Sequence, residues 1–330
     1  MIVRSRIAAL LVVTAGVLAL AAGIARFGPG EPGALPSASV RATASPTGSP
    51  TPSATPPPVA SAAPITLVGA GDIGVCGAGA TAATAALVER IGGAVFTAGD
   101  NAYDEGTATE FARCFAPTWG TFKDRIRPAP GNHDYGVPGA SGYFDYFGAA
   151  AGERGKGYYS YDLGAWHVVV LNSVCAAVGG CGPSSPQVLW LRNDLATHAA
   201  RCTLAIWHHP RFSSGAEHGS DPTYQTFWNV LYEFGADVVV NGHDHDYERF
   251  APQTPDAAAP GVKGNGIREF VVGTGGPGLY AIRAPIANSE VLRNDTHGVL
   301  ELTLRPAGYD WNFVQVDGAT FTDSGSDSCH

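Results

Sequence analysis

No Cys-x-x-Cys pair occurs in the chain, no basic run interleaves with aromatic residues, and no segment repeats. The first absence argues against a structural zinc motif. The second removes the electrostatic footprint of a nucleic-acid-binding surface, and a formal net charge of −9 agrees. No nucleic-acid partner is therefore expected. Cysteine is also missing near the apolar N-terminus, which excludes a bacterial lipoprotein anchor there.

The chain of 330 residues does not start like a globular domain. "MIVRSRIAALLVVTAGVLALAAGIA" carries Arg4 and Arg6, then an apolar segment from Ile7 to Ala25, just long enough to cross a bilayer. Residues 1–27 read as a secretory signal peptide or an uncleaved signal anchor, the latter able to contact the membrane. Ala19-Leu20-Ala21 fits small-x-small cleavage, whereas the length and the trailing Arg26 fit an anchor. Residues 28–64 are mostly Pro, Ser, Thr, Ala and Gly, which bury too little apolar surface to offset their ordering entropy. They are expected to be an extended, disordered spacer. Residues 65–330 remain for one large domain.

The six cysteines are Cys76, Cys114, Cys175, Cys181, Cys202 and Cys329. An even number in an exported chain predicts disulfides. "CAAVGGC" would close a short loop between Cys175 and Cys181. The expected remaining pairs are Cys76–Cys114 and Cys202–Cys329. An extracellular or cell-surface location follows.

Short apolar runs recur, each leading to polar residues: "ITLVGAGD", "GGAVFTAGDN", "RIRPAPGNHD", "CTLAIWHHP" and "ADVVVNGHDH". Helix-like stretches lie between them, at Thr81–Ile91, Thr107–Phe115, Pro186–His198 and Thr223–Phe234. This alternation predicts an α/β fold with ligand sites beyond the carboxyl ends of the strands. After Gly264 the pattern becomes strand-rich, which suggests a second, more antiparallel sheet. The predicted architecture is two packed mixed β-sheets flanked by helices.

The strand ends carry Asp72, Asp100, Tyr103, Asn132, His208, His243 and His245, a mixed oxygen and nitrogen donor set. Two neighbouring cations need a bridging carboxylate, and imidazoles can fill other positions. Asp100 and Tyr103, three apart on a turn, can face one ion. His243 and His245, two apart in extended chain, fall on one side and can serve two neighbouring ions or chelate one.

Five blocks in order, "GDIG", "GDNAY", "GNHD", "HHP" and "GHDHDYER", span Asp72 to Arg249. In them the chain resembles the calcineurin-like metallophosphoesterases, and most closely the purple acid phosphatases. Many members of that superfamily have Asp-x-His in the first block. Here Asp72-Ile73-Gly74 lacks the histidine, and Tyr103 stands three residues after Asp100, as in purple acid phosphatases.

The resemblance implies two metal ions. One is Fe(III), held by Asp72, Tyr103 and His245. The other is divalent (Fe, Zn or Mn), held by Asn132, His208 and His243. Asp100 bridges them. A phenolate suits a trivalent ion, and neutral Asn and His suit a divalent one. The family block His-x-Pro makes His208, not His209, the ligand. His218 stands near the place of a family histidine that contacts phosphate or protonates the leaving alkoxide. His133 is expected to face phosphoryl oxygens, with Asp134 orienting its ring.

The implied activity is hydrolysis of small phosphomonoesters by attack of a metal-bound hydroxide, in an exported phosphatase. A phosphodiesterase on the same core is the neighbouring alternative. A non-catalytic surface protein that keeps the fold is the alternative from a different class; it would be favoured by a missing ligand, and none is missing. A cupin-type oxygenase using His-x-His leaves the Asp-Tyr and Gly-Asn-His blocks unexplained. His167, His198, His209, His297 and His330 have structural readings. "YFDYF" (143–147) fits a pocket rim or core packing. "GTGGPG" (273–278) lacks a following Lys-Ser/Thr and fits a tight turn near the site.

Overall fold

A computed structural model describes residues 63–257 and 266–330. The N-terminal signal segment, and all but the last two residues of the expected spacer, lie outside the described residues.

The elements run β1 (Ile65–Ala70), α1 (Gly79–Ile91), β2 (Ala94–Ala98), α2 (Ala108–Glu110, continued by a π turn to Phe115), β3 (Ile126–Ala129), α3 (Ser141–Phe147), β4 (Tyr159–Leu163), β5 (Trp166–Val170), α4 (Pro186–Thr197), β6 (Cys202–Ile206), α5 (Gln225–Glu233), β7 (Val238–Asn241), β8 (Tyr247–Phe250), β9 (Arg268–Val272), β10 (Ser289–Arg293), β11 (Gly298–Arg305), β12 (Gly308–Gln315) and β13 (Asp323–Ser328). The four predicted helical stretches are present, with α4 started by Ser185, whose side chain accepts from the Val188 N–H, followed by Pro186.

One sheet has the order β13-β12-β11-β1-β2-β3, the other β10-β8-β9-β7-β6-β5-β4. Parallel pairing joins β1 to β2 to β3 in the first, and β5 to β6 to β7 to β9 in the second. Antiparallel strands flank both parallel centres. This corrects one expectation. The strands after Gly264 do not make a sheet of their own. β9 and β10 complete the second sheet, while β11 to β13 extend the first past β1.

Side-chain alternation explains how the second sheet is covered on both faces. Val168, Leu204, Val240 and Phe270 point into the core shared with Leu67, Phe96, Leu300 and Leu302 of the first sheet. Their neighbours Val169, Ala205, Val239 and Val271 face outward onto Leu191, Leu195, Phe227 and Leu231 of α4 and α5. Full burial of each Val, Leu or Phe side chain here contributes about 1.5–3 kcal/mol. α3 belongs to the core and not to a pocket rim: Tyr143, Phe144 and Phe147 are buried, and the Tyr143 hydroxyl donates to the Pro128 carbonyl at 2.9 Å.

All three disulfides pair as expected, Cys76–Cys114, Cys175–Cys181 and Cys202–Cys329. The last ties the C-terminal tail to the start of β6. Among the described residues, no helix is long and apolar enough to cross a membrane.

Candidate metal centre

The predicted donors meet where the parallel strands of both sheets end. Asp72 follows β1, Asp100 follows β2, Asn132 follows β3, His208 follows β6, and His243 follows β7. Three of them have left-handed backbones: Asp72 (φ 58°), Asp100 (φ 51°) and His243 (φ 72°). Non-glycine residues rarely adopt this region, and such strain gathers at functional sites. Close approach requires glycine nearby. A Cβ on Gly99 would lie 2.4 Å from the His208 ring, and one on Gly131 2.1 Å from Asp100 Oδ1.

Two donor groups share one carboxylate. In the first, the Tyr103 hydroxyl is 2.8 Å from Asp72 Oδ1, 3.0 Å from Asp100 Oδ2 and 3.3 Å from His245 Nε2. In the second, His208 Nε2 is 3.0 Å from Asn132 Oδ1, 3.2 Å from Asp100 Oδ2 and 3.2 Å from His243 Nδ1. Asp100 Oδ2 thus belongs to both.

The tautomers follow from the other ring nitrogens. His208 Nδ1 faces the Ala98 carbonyl at 2.8 Å, and His245 Nδ1 faces the Gly278 carbonyl at 2.9 Å. Both carbonyls need a donor, so each neutral ring turns a bare Nε2 toward the centre. Acceptors then outnumber protons. One phenolic proton serves three neighbours, and at most one proton on His208 Nε2 serves three more. A cation satisfies such convergence and a hydrogen bond does not.

The electrostatics agree. Burial and the neighbouring Asp100 and Asp72 push the Tyr103 phenol well above its ordinary value. A nearby cation reverses that field and makes a phenolate accessible. Burial raises Asp100, but His208 and His133 outweigh it and hold the carboxyl at about 2. Burial lowers His208, yet Asp100 and Asp72 carry it up to about 9, so without a cation a proton is held in its place. Burial and the surrounding His208, His209, His218 and His245 depress His243, leaving it neutral.

The remaining predicted residues divide. His133 has its backbone N–H on Asp100 Oδ1 at 2.8 Å, and its ring Nε2 lies 3.8 Å from Asp100 Oδ2. Asp134 does not orient that ring, which is a correction. His133 Nδ1 is instead 2.5 Å from the Asp104 carbonyl. Asp134 is buried and accepts from Gly131 N (2.9 Å) and from Asn101 Nδ2 (2.9 Å) and N (3.2 Å). It pins the "GDN" turn to the "GNHD" turn. Burial and the Asp100 charge raise its carboxyl to about 7 against those bonds.

His218 stacks on His243 with centroids 3.9 Å apart, on the wall of a cavity of about 330 Å³ that His209, Glu217 and Asp221 also line.

Sequence reasoning missed Asp244 and Tyr280 among the supports of this wall. Asp244, the residue between the paired histidines, reaches across to hold the His218 loop. It accepts from Ser213 Oγ (2.5 Å), Gly219 N (3.0 Å) and His218 N (3.3 Å). Glu248, from "DYER", holds the same loop through Ser214 N (2.7 Å) and Oγ (2.6 Å). Tyr280 stacks on His245 at 3.8 Å. "GTGGPG" is a turn beside the centre, as expected, and its Gly278 carbonyl orients His245.

The sequence profile described as calcineurin-like phosphoesterase matches residues 65–247, which include all seven donors. The chain belongs to the calcineurin-like phosphoesterase family. Among curated members, it is 29% identical over 149 residues to purple acid phosphatase 15 of Arabidopsis thaliana, covering 40% of this chain and 27% of that protein. It is 31% identical over 150 residues to purple acid phosphatase 23 of the same plant, covering 40% and 32%. The matched region is thus about a third or less of these relatives' length. Among solved structures, purple acid phosphatase PPD1 from yellow lupin (Lupinus luteus) seeds aligns with a TM-score of 0.69 at 20% identity, over 81% of this chain and 54% of that one. The Plasmodium protein GAP50, described as the anchor in the inner membrane complex, aligns with a TM-score of 0.59 at 14% identity, over 81% and 90%. At these identities the structures establish the fold alone, the two-sheet architecture of this metallophosphatase family.

Proposed function

We propose that this calcineurin-like phosphoesterase is an exported, purple acid phosphatase-like hydrolase of small phosphomonoesters, working with two metal ions. The observation that carries the reading is Asp100 Oδ2, within 3.0 Å of the Tyr103 hydroxyl and 3.2 Å of His208 Nε2. One carboxylate common to two donor groups is what a pair of adjacent cations requires. Asp72, Tyr103 and His245 would hold Fe(III), suited by the phenol oxygen. Asn132, His208 and His243 would hold a divalent ion such as Fe, Zn or Mn. When bound, the two ions would supply positive charge for phosphoryl oxygens and lower the pKa of a coordinated water.

The chain's own side chains would do the rest. His133, with Nδ1 fixed on the Asp104 carbonyl, turns Nε2 toward the Asp100 side of the centre, where it can donate to a phosphoryl oxygen. His218 stands on the cavity wall, where it can protonate a departing alkoxide. Asp244 and Glu248 keep the His218 loop in place. Three disulfides support export into an oxidising compartment.

The test is turnover of purified protein on a panel of phosphomonoesters and diesters, with metal analysis of the same sample. Monoester turnover with two ions per chain is expected. Preference for diesters would move the protein to the phosphodiesterase alternative. Metal-free, inactive protein would favour a non-catalytic surface role, a reading that the complete donor set opposes.

A further inference from the structure

His209 has no role in the sequence reading beyond neighbouring His208. In the fold its ring lies beside that of His243, centroids 4.2 Å apart, and stacks on Tyr224 at 5.5 Å. It lines the same cavity as His218 and His243. Its Nδ1 is 2.8 Å from Ser173 Oγ, and its backbone N–H donates to that oxygen at 3.1 Å.

These two contacts decide where the ring proton sits. Ser173 is 1% exposed, so its hydroxyl proton needs an acceptor within the protein. Nδ1 is the acceptor in reach. Were Nδ1 protonated instead, two N–H groups would meet one oxygen, and a buried hydroxyl proton would be left unpaired. The neutral ring therefore carries its proton on Nε2. With Nδ1 held on the protein side, Nε2–H is the polar group that the ring has left for the cavity.

We propose that His209 is a fixed N–H donor to an oxygen of the bound phosphoryl group, with Ser173 as the positioning residue that sets its tautomer. The identity of the bound group rests on the phosphatase reading above. His208, His209 and His243 can each offer a nitrogen within 4.8 Å of the others, which makes His209 look like a further metal ligand. A protonated Nε2 has no lone pair to give, so His209 is not one. The donor is oriented before the substrate arrives, so its hydrogen bond costs no reorganisation when charge develops on the phosphoryl oxygens.

The test uses the full, zinc-loaded chain and inorganic phosphate as probe, with three readouts: metal content, phosphate affinity by calorimetry, and the imidazole tautomer by long-range nitrogen NMR. Wild type is expected to show a protonated Nε2 at His209. His209→Ala should keep both metals and weaken phosphate binding roughly 10- to 100-fold, the range for a hydrogen bond to a charged group. His209→Gln, which returns an amide donor near Nε2, should recover part of that loss. Ser173→Ala should shift the ring toward the Nδ1–H tautomer and weaken phosphate binding several-fold without loss of metal. Loss of one ion from His209→Ala would make His209 a ligand and overturn the proposal. So would unchanged phosphate affinity in that variant, or a protonated Nδ1 in wild type. Wild type that loads metal but binds no phosphate would sink the phosphatase reading together with the phosphate contact. Wild-type binding with no response in His209→Ala would sink this inference alone.

Discussion

Among the described residues, two parts of the molecule gather histidine and aspartate closely enough to suggest a metal, and they differ in kind. One is the strand-end centre around Asp72, Asp100 and His208; the other lies at the edge of the second sheet, where His167, Asp194 and His198 meet. At the edge, His167 Nδ1 is 3.0 Å from Asp162 and Nε2 2.8 Å from Asp194, so each ring nitrogen faces a carboxylate. Ser160 Oγ supplies a further donor to Asp194 at 2.8 Å. A protonated imidazole satisfies every partner there. The rings of His167 and His198 are parallel within 9°, centroids 4.9 Å apart, so their lone pairs do not converge. At the strand ends the count is reversed. Carboxylates, an amide oxygen, a phenol and bare imidazole nitrogens converge with too few protons, and three of the contributing residues have left-handed backbones. Proximity of ligand-type side chains is common to both clusters. What separates them is whether protons can satisfy the donors.

The largest effect that would sharpen this contrast is expected for Asp100→Asn. A neutral amide bridges two cations poorly, so turnover on a monoester should fall at least about a thousandfold. Near-wild-type turnover would remove Asp100 as the shared group. Next comes Tyr103→Phe, which keeps the ring and deletes the oxygen. Metal affinity at the first site should fall by more than the roughly 10- to 100-fold seen when outer partners are lost, and the second site should be affected less. Iron-loaded, oxidised wild type should absorb in the visible through phenolate-to-iron charge transfer, and the variant should not. A colourless wild type carrying iron would show that Tyr103 is not a ligand.

At the sheet edge the expectations are different. Asp194→Asn should leave turnover and metal content unchanged, and destabilise the fold by about 3 kcal/mol, as breaking a buried pair does. Chemical denaturation measures the second, and a loss of metal would break the distinction. The smallest effect is in pH dependence. Burial opposes charge on His167, but the hydrogen bonds it donates to Asp194 and Asp162 raise it above 6.5. Its contribution is complete below 6.5 and is lost as pH rises through the raised folded value. Burial raises Asp194, but His167 and Ser160 lower it below 3.8, so its contribution is complete above 3.8 and lost as pH falls through the lowered value. The edge pair should therefore stabilise most between these two values, and His167→Gln should flatten that part of the stability profile.

Much of the strand-end centre was legible in the sequence because each donor sits in a short block that ends a strand. Strand period and turn chemistry placed Asp72, Asp100 with Tyr103, Asn132, His208 and the His243–His245 pair at strand ends, and the resemblance of the five blocks chose His208 over His209 and divided the set between two ions. Most of the supports were not legible. Asp244 looks like filler between two histidines until the loop at 213–219 is seen folded back on it. Asp134 adjoins His133 in sequence, but its carboxylate turns to Asn101 and Gly131, where three N–H groups outcompete one imidazole. His209 gained its place from Ser173, a partner 36 residues away. The late strands were legible as strands, yet their division between two sheets depends on which edges β1 and β7 leave free. Local chemistry is written in local sequence, whereas second partners come from tertiary packing.

The most direct test of the account is metal content per chain for three proteins prepared side by side: wild type, Asp100→Asn and Asp194→Asn. The account predicts two ions in wild type, loss from both sites in Asp100→Asn, and two ions still in Asp194→Asn. Two ions retained in Asp100→Asn, or metal lost in Asp194→Asn, would contradict it.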